Sequence, residues 1–246
     1  MMIMGSLLED SWDTYASNIR LVLLFSIPFI IAFLIPLLAP LPTYISSGGI
    51  FIRTASVFLN ITAFGLVVIV VSLFLSLLFL SFAFVAISLI VKAKRTYTKH
   101  PGSVLRDVEK YTARVFVVLL AYAFVLTIVN IGSYFLGLEQ VLTPLVGFFL
   151  FMAIFYAPTA IVIDNKKIST ALNQSARMVA REPQYFLLWI ALITVVVALL
   201  DYVIIHATGT LLSSYIFLVV NSLLVLPYFV IFQAEAYMKR FSILKH

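Results

Sequence analysis

Few side chains in this chain could do chemistry in an apolar setting, and three of them are expected at one depth. Asn130, Asp201 and Asn221 interrupt long runs of Val, Leu, Ile and Phe. Ionisable and amide groups are expensive in such surroundings, so they mark either a polar path or bonding between helices. Two readings stand. The three residues line a common polar cavity, or Asn130 and Asn221 bond across helices, worth about 1 kcal/mol each, while Asp201 reaches the interface. His206 follows Asp201 by five residues, which on a helix turns the two side chains about 140° apart. They are not expected to pair, and no metal or cofactor is expected. Glu235, at the far end of the last apolar run, has Arg177, Arg181 or Lys92 as expected salt-bridge partners. A coupling proton site is the alternative for Glu235.

Other chemistry is excluded by inventory. There is no nucleophile elbow, no Walker loop and no zinc-protease helix. The chain has no cysteine, which removes disulfides, thiol catalysis and Cys-based metal sites. No enzymatic activity is expected.

The elements that must position these residues follow from composition. The 246 residues are 63% hydrophobic and only 11% charged, where a soluble domain carries about a quarter charged residues. Lipid must solvate the excess apolar surface. A helical span needs about 20 mostly apolar residues, and six stretches qualify: Leu21 to Leu38, Ile61 to Val91, Val115 to Leu136, Val141 to Ile163, Tyr185 to Ile205 and Leu211 to Tyr237. The fold class expected is therefore all-α, a six-span bundle. The second stretch is too long for a perpendicular span and must tilt or project. Pro28 and Pro36 in the first, and Pro144 and Pro158 in the fourth, are expected to kink their helices. Trp12, Tyr185 and Tyr202 fit interface anchors.

Basic residues orient the set. Of sixteen Lys and Arg residues, all but Arg53 fall in segments that alternate topology puts on one side. Lys92, Lys94, Arg95, Lys99, Arg106, Lys110 and Arg114 fill the link between spans two and three. Lys166, Lys167, Arg177 and Arg181 fill the link between four and five. Both termini are expected in the cytoplasm of a multi-pass cell-membrane protein. The net charge of +6 follows from this placement beside anionic headgroups, and no nucleic-acid partner is expected. The first twenty residues are acidic rather than basic, so no cleavable signal peptide is expected. Two opposite-side links, Gly137 to Gln140 and Ala207 to Thr210, are short and make their helices antiparallel neighbours. The first, Ala39 to Asn60, is longer. Its Ile50 to Leu59 stretch is a candidate interfacial segment, and Asn60-Ile61-Thr62 matches a glycosylation acceptor.

Three segments look alike. Leu7 to Leu23, Val104 to Leu120 and Ala171 to Leu187 align without gaps, with Leu8, Leu105 and Leu172 in one column and Ala16, Ala113 and Ala180 in another. Leu23, Leu120 and Leu187 make a third, and Ser11 meets Ser175. Each segment has apolar residues at helical spacing and precedes an odd-numbered span, so each is expected to form an amphipathic helix in the headgroup plane. The repeating unit is then a helix followed by a two-span hairpin, dividing the single domain near residues 1–94, 95–164 and 165–246. Repeats of this kind share orientation, unlike the inverted repeats of many transporters. Pro183 is expected to mark the turn into span five.

Tyr156-Ala157-Pro158-Thr159-Ala160-Ile161-Val162-Ile163-Asp164, followed by Ala171-Leu172-Asn173-Gln174-Ser175, resembles the membrane domain associated with some glycerophosphoryl diester phosphodiesterases and related six-helix membrane proteins. The ending Leu226-Pro227-Tyr228 through Ala236-Tyr237-Met238-Lys239-Arg240 is similar to that family's last span. The resemblance implies a fold. The phosphodiesterase domain and its metal-chelating set are missing from this sequence, so that activity is not implied.

Two functional expectations follow. One is a non-catalytic membrane protein that binds lipids or a protein partner as a scaffold or accessory subunit, through a cytoplasmic surface of Lys92, Lys94, Arg95, Arg106, Lys110, Arg177 and Arg181. The other is a transporter or channel subunit for a small or amphipathic solute, lined by Asn130, Asp201 and Asn221. A homo-oligomer is compatible with either.

Overall fold

The computed structural model describes residues 2–38, 43–46, 49–52, 62–96 and 101–240. Arg53, most of the candidate interfacial stretch, Asn60 with its acceptor pattern, Lys99, His100, Lys245 and His246 lie outside the described residues, as do the side chains of Arg95 and Arg106. The elements are α1 (Met2–Ser17), α2 (Ile19–Leu38), β1 (Thr43–Ser46), β2 (Gly49–Ile52), α3 (Ala63–Thr96), α4 (Pro101–Phe135), α5 (Glu139–Ile154), α6 (Ala157–Ile163), α7 (Ile168–Arg181), α8 (Pro183–Thr208), α9 (Thr210–Val220), a π turn (Asn221–Val225) and α10 (Leu226–Arg240). The architecture is helical, and six stretches are long and apolar enough to cross a membrane. One small departure from an all-α chain is the antiparallel pairing of β1 with β2, Ser46 opposite Gly49. β-branched and aromatic residues at Thr43, Tyr44, Ile45, Ile50, Phe51 and Ile52 favour that pairing.

Several spans depart from regular helix. The helix expected before span three is continuous with it: α4 runs unbroken from Pro101 to Phe135, with no proline or glycine between Gly102 and Gly132 to interrupt it. Span four breaks between α5 and α6. Pro158 has no N–H to give the Ile154 carbonyl, and side chains from elsewhere satisfy the gap. Gln233 Nε2 donates to the Phe155 carbonyl, and the Tyr156 N–H donates to Ser175 Oγ at 2.9 Å. Span six contains the π turn just before Pro227, where a regular helix would press the ring against the Leu223 carbonyl. The Leu226 N–H instead reaches the Asn221 carbonyl, widening the helix by one residue. Pro183 starts α8 after Glu182, which leaves the helical region at φ −132 and ψ 58, since a proline disfavours helical backbone in the residue before it.

Two tight turns use glycine for backbone reasons. Gly137 has φ +67, with the Leu138 N–H on the Ser133 carbonyl and the Gly137 N–H on the Tyr134 carbonyl. That pair of bonds is the Schellman closure of a helix C-terminus. Gly209, between α8 and α9, has φ 74 and ψ 174, a region open to glycine almost alone.

The core sits at one end of the molecule. Ala83 to Val91 of α3, Phe155 to Ile163 around α6, and Phe229 to Tyr237 of α10 are buried almost throughout. These three stretches pack against one another in every pairing. Phe151, Phe155, Phe186, Trp189 and Phe229 form a chain of ring contacts 4.9 to 6.2 Å between centroids. Away from this end the helices present apolar surface outward, with Phe64 77% exposed and Phe135 72%. Surface of that kind over several helices exceeds the patches a water-soluble monomer tolerates; in a bilayer it meets lipid.

The three similar segments share a burial pattern. Ser11, Val108 and Ser175 are buried, as are Thr14, Tyr111 and Met178, and Tyr15, Thr112 and Val179. Trp12, Glu109 and Ala176 are exposed, as are Asp13, Lys110 and Arg177, and Ala16, Ala113 and Ala180. Buried positions at spacings of three and four define one helical face.

Candidate functional site

The end of the molecule that holds the core also gathers the charge. Lys94 Nζ meets Asp13 Oδ2 at 2.6 Å and Thr14 Oγ1 at 3.2 Å. Thr14 in turn donates to Glu235 Oε1 at 3.0 Å. Glu235 is fully buried, so a short chain of contacts links its carboxylate to the Lys94 ammonium. Its placement joins α10 to α1 and, through Thr14, to Lys94 on α3. Lys239 pairs with Asp10 at 2.8 Å. Lys92 Nζ donates to the Val162 carbonyl at 2.8 Å, lies 5.3 Å from the Tyr111 ring, and feels the carboxylates of Asp107 and Asp164. Arg114 donates to Asn165 Oδ1 at 3.1 Å. Asn165 holds a φ of 51, which asparagine tolerates better than most residues.

A second polar cluster was not visible in the sequence. Tyr237 Oη donates to Asp164 Oδ2 at 2.6 Å, and Gln174 Nε2 donates to Tyr237 Oη at 2.7 Å. This ties α7 to α10 and to the end of α6. Asp164 and Gln174 stood out only as part of a family-like run, and nothing in spacing reveals their shared partner. Near α1, Tyr15 packs against Trp12 and Tyr228. Burial pushes its phenol pKa up, so it stays protonated near neutrality.

Lys92, Lys94 and Arg114 are thus engaged within the protein. Arg177 and Arg181 are exposed, and among the described residues neither forms an ion pair. With Lys166, Thr170, Asn173, Gln174 and Glu182 they line a groove of about 350 Å³ along α7. Lys110 is exposed beside the Tyr111 ring, 5.4 Å from its centroid.

The intramembrane candidates separate. Asn130 lines a cavity of about 440 Å³ between α2, α3, α4 and α5, together with Ala32, Phe33, Leu73, Ser76, Leu77, Leu80, Leu119, Tyr122, Ala123, Leu126, Thr127, Thr143, Phe151 and Ile154. Asp201 lies on α8 and Asn221 in the π turn; neither is among those lining residues. Asn221 is 2% exposed, and its turn packs against α2. His206 Nδ1 lies 2.9 Å from the Tyr202 carbonyl one turn back, and its ring contacts Tyr202 at 4.1 Å rather than Asp201. Ser76 Oγ, Asn130 Oδ1 and Thr143 Oγ1 are buried without a hydrogen-bond partner among the described residues. Ser76 and Thr143 escape sequence reading because Ser and Thr are ordinary in apolar helices, where they bond their own backbone.

Fold and site together define a helical protein with six membrane-length helices, a charged, well-packed end and a cavity between α2, α3, α4 and α5 lined by no charged side chain. Compared with family models, curated proteins and solved structures, the chain matches none.

Proposed function

We propose that this chain is a non-catalytic multi-pass membrane protein that binds anionic lipid at its charged end, as a scaffold or accessory subunit. In this reading both termini are cytoplasmic, and the architecture is that of the phosphodiesterase-associated membrane domain it resembles. Three units, each a leading amphipathic segment and a two-span hairpin, build the bundle; in the second the leading segment is continuous with its span. The common burial pattern of the leading segments supports the units. The leading helices lie at the headgroup level. The observation that carries the lipid reading is the α7 groove, where Arg177 and Arg181 stand exposed beside Lys166 while Lys92, Lys94 and Arg114 are held by the protein. A basic residue near an anionic surface contributes about 1 kcal/mol, so two account for about a thirtyfold preference. Lipid mass spectrometry of the purified protein tests this. Arg177→Gln with Arg181→Gln is expected to cut retained phosphatidylglycerol relative to phosphatidylcholine by about that factor, and an unchanged ratio would sink the reading.

A transporter or channel-subunit reading draws on the cavity through Asn130 alone. Solute flux in proteoliposomes that persists after Asn130→Ala counts against Asn130 as a path residue.

A further inference from the structure

The cavity between α2, α3, α4 and α5 has a chemistry of its own. Its lining holds no charged side chain. Most of its wall is Leu, Phe, Ala and Ile. Three of its lining residues, on three different helices, carry a buried polar atom with no partner among the described residues: Ser76 Oγ on α3, Asn130 Oδ1 on α4 and Thr143 Oγ1 on α5. Ser76 is only 3% exposed. Buried polar groups are almost always satisfied, and leaving one unpaired costs about 1–3 kcal/mol. Three such atoms around one space point to a ligand that supplies their partners. Thr127 also lines the space but its hydroxyl is already given to the Ala123 carbonyl at 2.8 Å, so the unmet demand is specific to the other three.

The polar atoms are not spread evenly. On α4 the lining runs from Leu119 to Asn130, about 17 Å at 1.5 Å per residue. Asn130 and Thr143 sit near the α4–α5 turn, five residues before Phe135 and four after Glu139. Asn130 is about 24 Å along the helix from Arg114, toward the opposite membrane face. Leu119, Leu80, Phe151 and Ile154 lie deeper and are apolar. The space thus has polar groups at the end near one headgroup layer, with Ser76 and Tyr122 further in and an otherwise apolar interior.

We propose that this cavity binds a neutral lipid with a hydroxyl-bearing headgroup, of the monoacylglycerol kind, drawn from the leaflet at the α4–α5 turn. The headgroup hydroxyls donate to Asn130 Oδ1 and exchange hydrogen bonds with Ser76 and Thr143, and the chain fills the apolar interior. A charged headgroup is excluded because no countercharge lines the space and an ion there goes unsolvated. The volume of about 440 Å³ lies within the range of small-molecule sites. The site is separate from the α7 groove, so either can fail without the other.

Native mass spectrometry of the intact protein in detergent tests the assignment, with 1-monooleoylglycerol as probe, oleyl phosphate as the charged-head control and 1-octadecene as the headless one. Monooleoylglycerol is expected to bind at least tenfold more tightly than either control. Ser76→Ala with Thr143→Val, which removes hydroxyls with little change of volume, is expected to weaken it about tenfold. Ala123→Phe, which fills the space, is expected to abolish it, and Arg177→Gln to leave it unchanged. Equal binding of oleyl phosphate or octadecene overturns the proposal, as does full binding by both the hydroxyl-removed and the filled variants.

Discussion

At the scale of single residues, equivalent positions in similar segments do different work. Ser11 and Ser175 occupy one column of the aligned segments, and both are fully buried. Ser11 Oγ turns back to the Leu7 carbonyl of its own helix at 2.7 Å. Ser175 Oγ instead receives the Tyr156 N–H, one of the donors freed where span four breaks. Removing Ser175 Oγ strands a buried amide, at about 1–3 kcal/mol. Removing Ser11 Oγ strands nothing, since the Leu7 carbonyl keeps its helical partner. Ser175→Ala is therefore expected to lower Tm in detergent by several degrees, at about 2–4 °C per kcal/mol for a chain of this size, and Ser11→Ala by less than one such step. Equal losses would show that Tyr156 is satisfied some other way. The serine match was legible in the sequence. Its consequence was not, because the partner amide exists only once Pro158 has opened the helix. Asn130 was legible for the opposite reason: an amide in a long apolar run stands out alone, whereas its cavity neighbours Ser76 and Thr143 do not.

At the scale of elements, span positions were readable because a bilayer imposes one length on every helix that crosses it. Breaks inside spans were not. Prolines warned of kinks, but the kind of interruption depends on which neighbours can supply hydrogen bonds: Gln233 and Ser175 for α5 and α6, a widened turn for Pro227. The turns carry a sharper test. Gly137 lies in a Schellman closure, a left-handed position that asparagine also adopts. Gly209 combines φ 74 with ψ 174, which asparagine does not adopt without strain of about 1–3 kcal/mol. A Cβ at either site meets no atom within 4 Å, so the backbone alone decides. Gly209→Asn is expected to lower Tm by a few degrees and Gly137→Asn to leave it nearly unchanged, measured by thermal unfolding in detergent. A reversed order would mean that packing rather than backbone conformation sets these turns.

At the scale of the whole molecule, the contacts of the leading helices follow a cyclic order. α1 touches the ends of α10 and α3, through Asp10–Lys239 and Asp13–Lys94. The first turns of α4 face α3 and the end of α6, through Lys92 over Tyr111 and Arg114 on Asn165. α7 reaches the end of α6 and α10, through Gln174 near Asp164 and on Tyr237. Each of the three similar segments thus bridges two of the buried stretches: α1 those of α10 and α3, the 111–114 part of α4 those of α3 and α6, and α7 those of α6 and α10. Aligned positions Asp10 and Gln174 reach Lys239 and Asp164, and Asp107 in the same column lies near enough to Lys92 to favour its charge. Lys94, Lys239, Lys92 and Arg114 make these contacts, whereas Arg20, Lys110, Lys167, Arg177 and Arg181 are exposed. This cyclic order makes a directional prediction. Asp10→Asn, Asp13→Asn and Thr14→Val together unpin α1 and remove the donor on buried Glu235, so amide exchange is expected to rise in 229–237 and 83–91, the two ends α1 bridges. The 155–163 stretch, clasped by α4 and α7, is expected to keep its protection because neither clasp is altered. Hydrogen exchange followed by mass spectrometry resolves the three stretches, and a uniform rise across them would show that the end unfolds as one block rather than as a ring with separable joints.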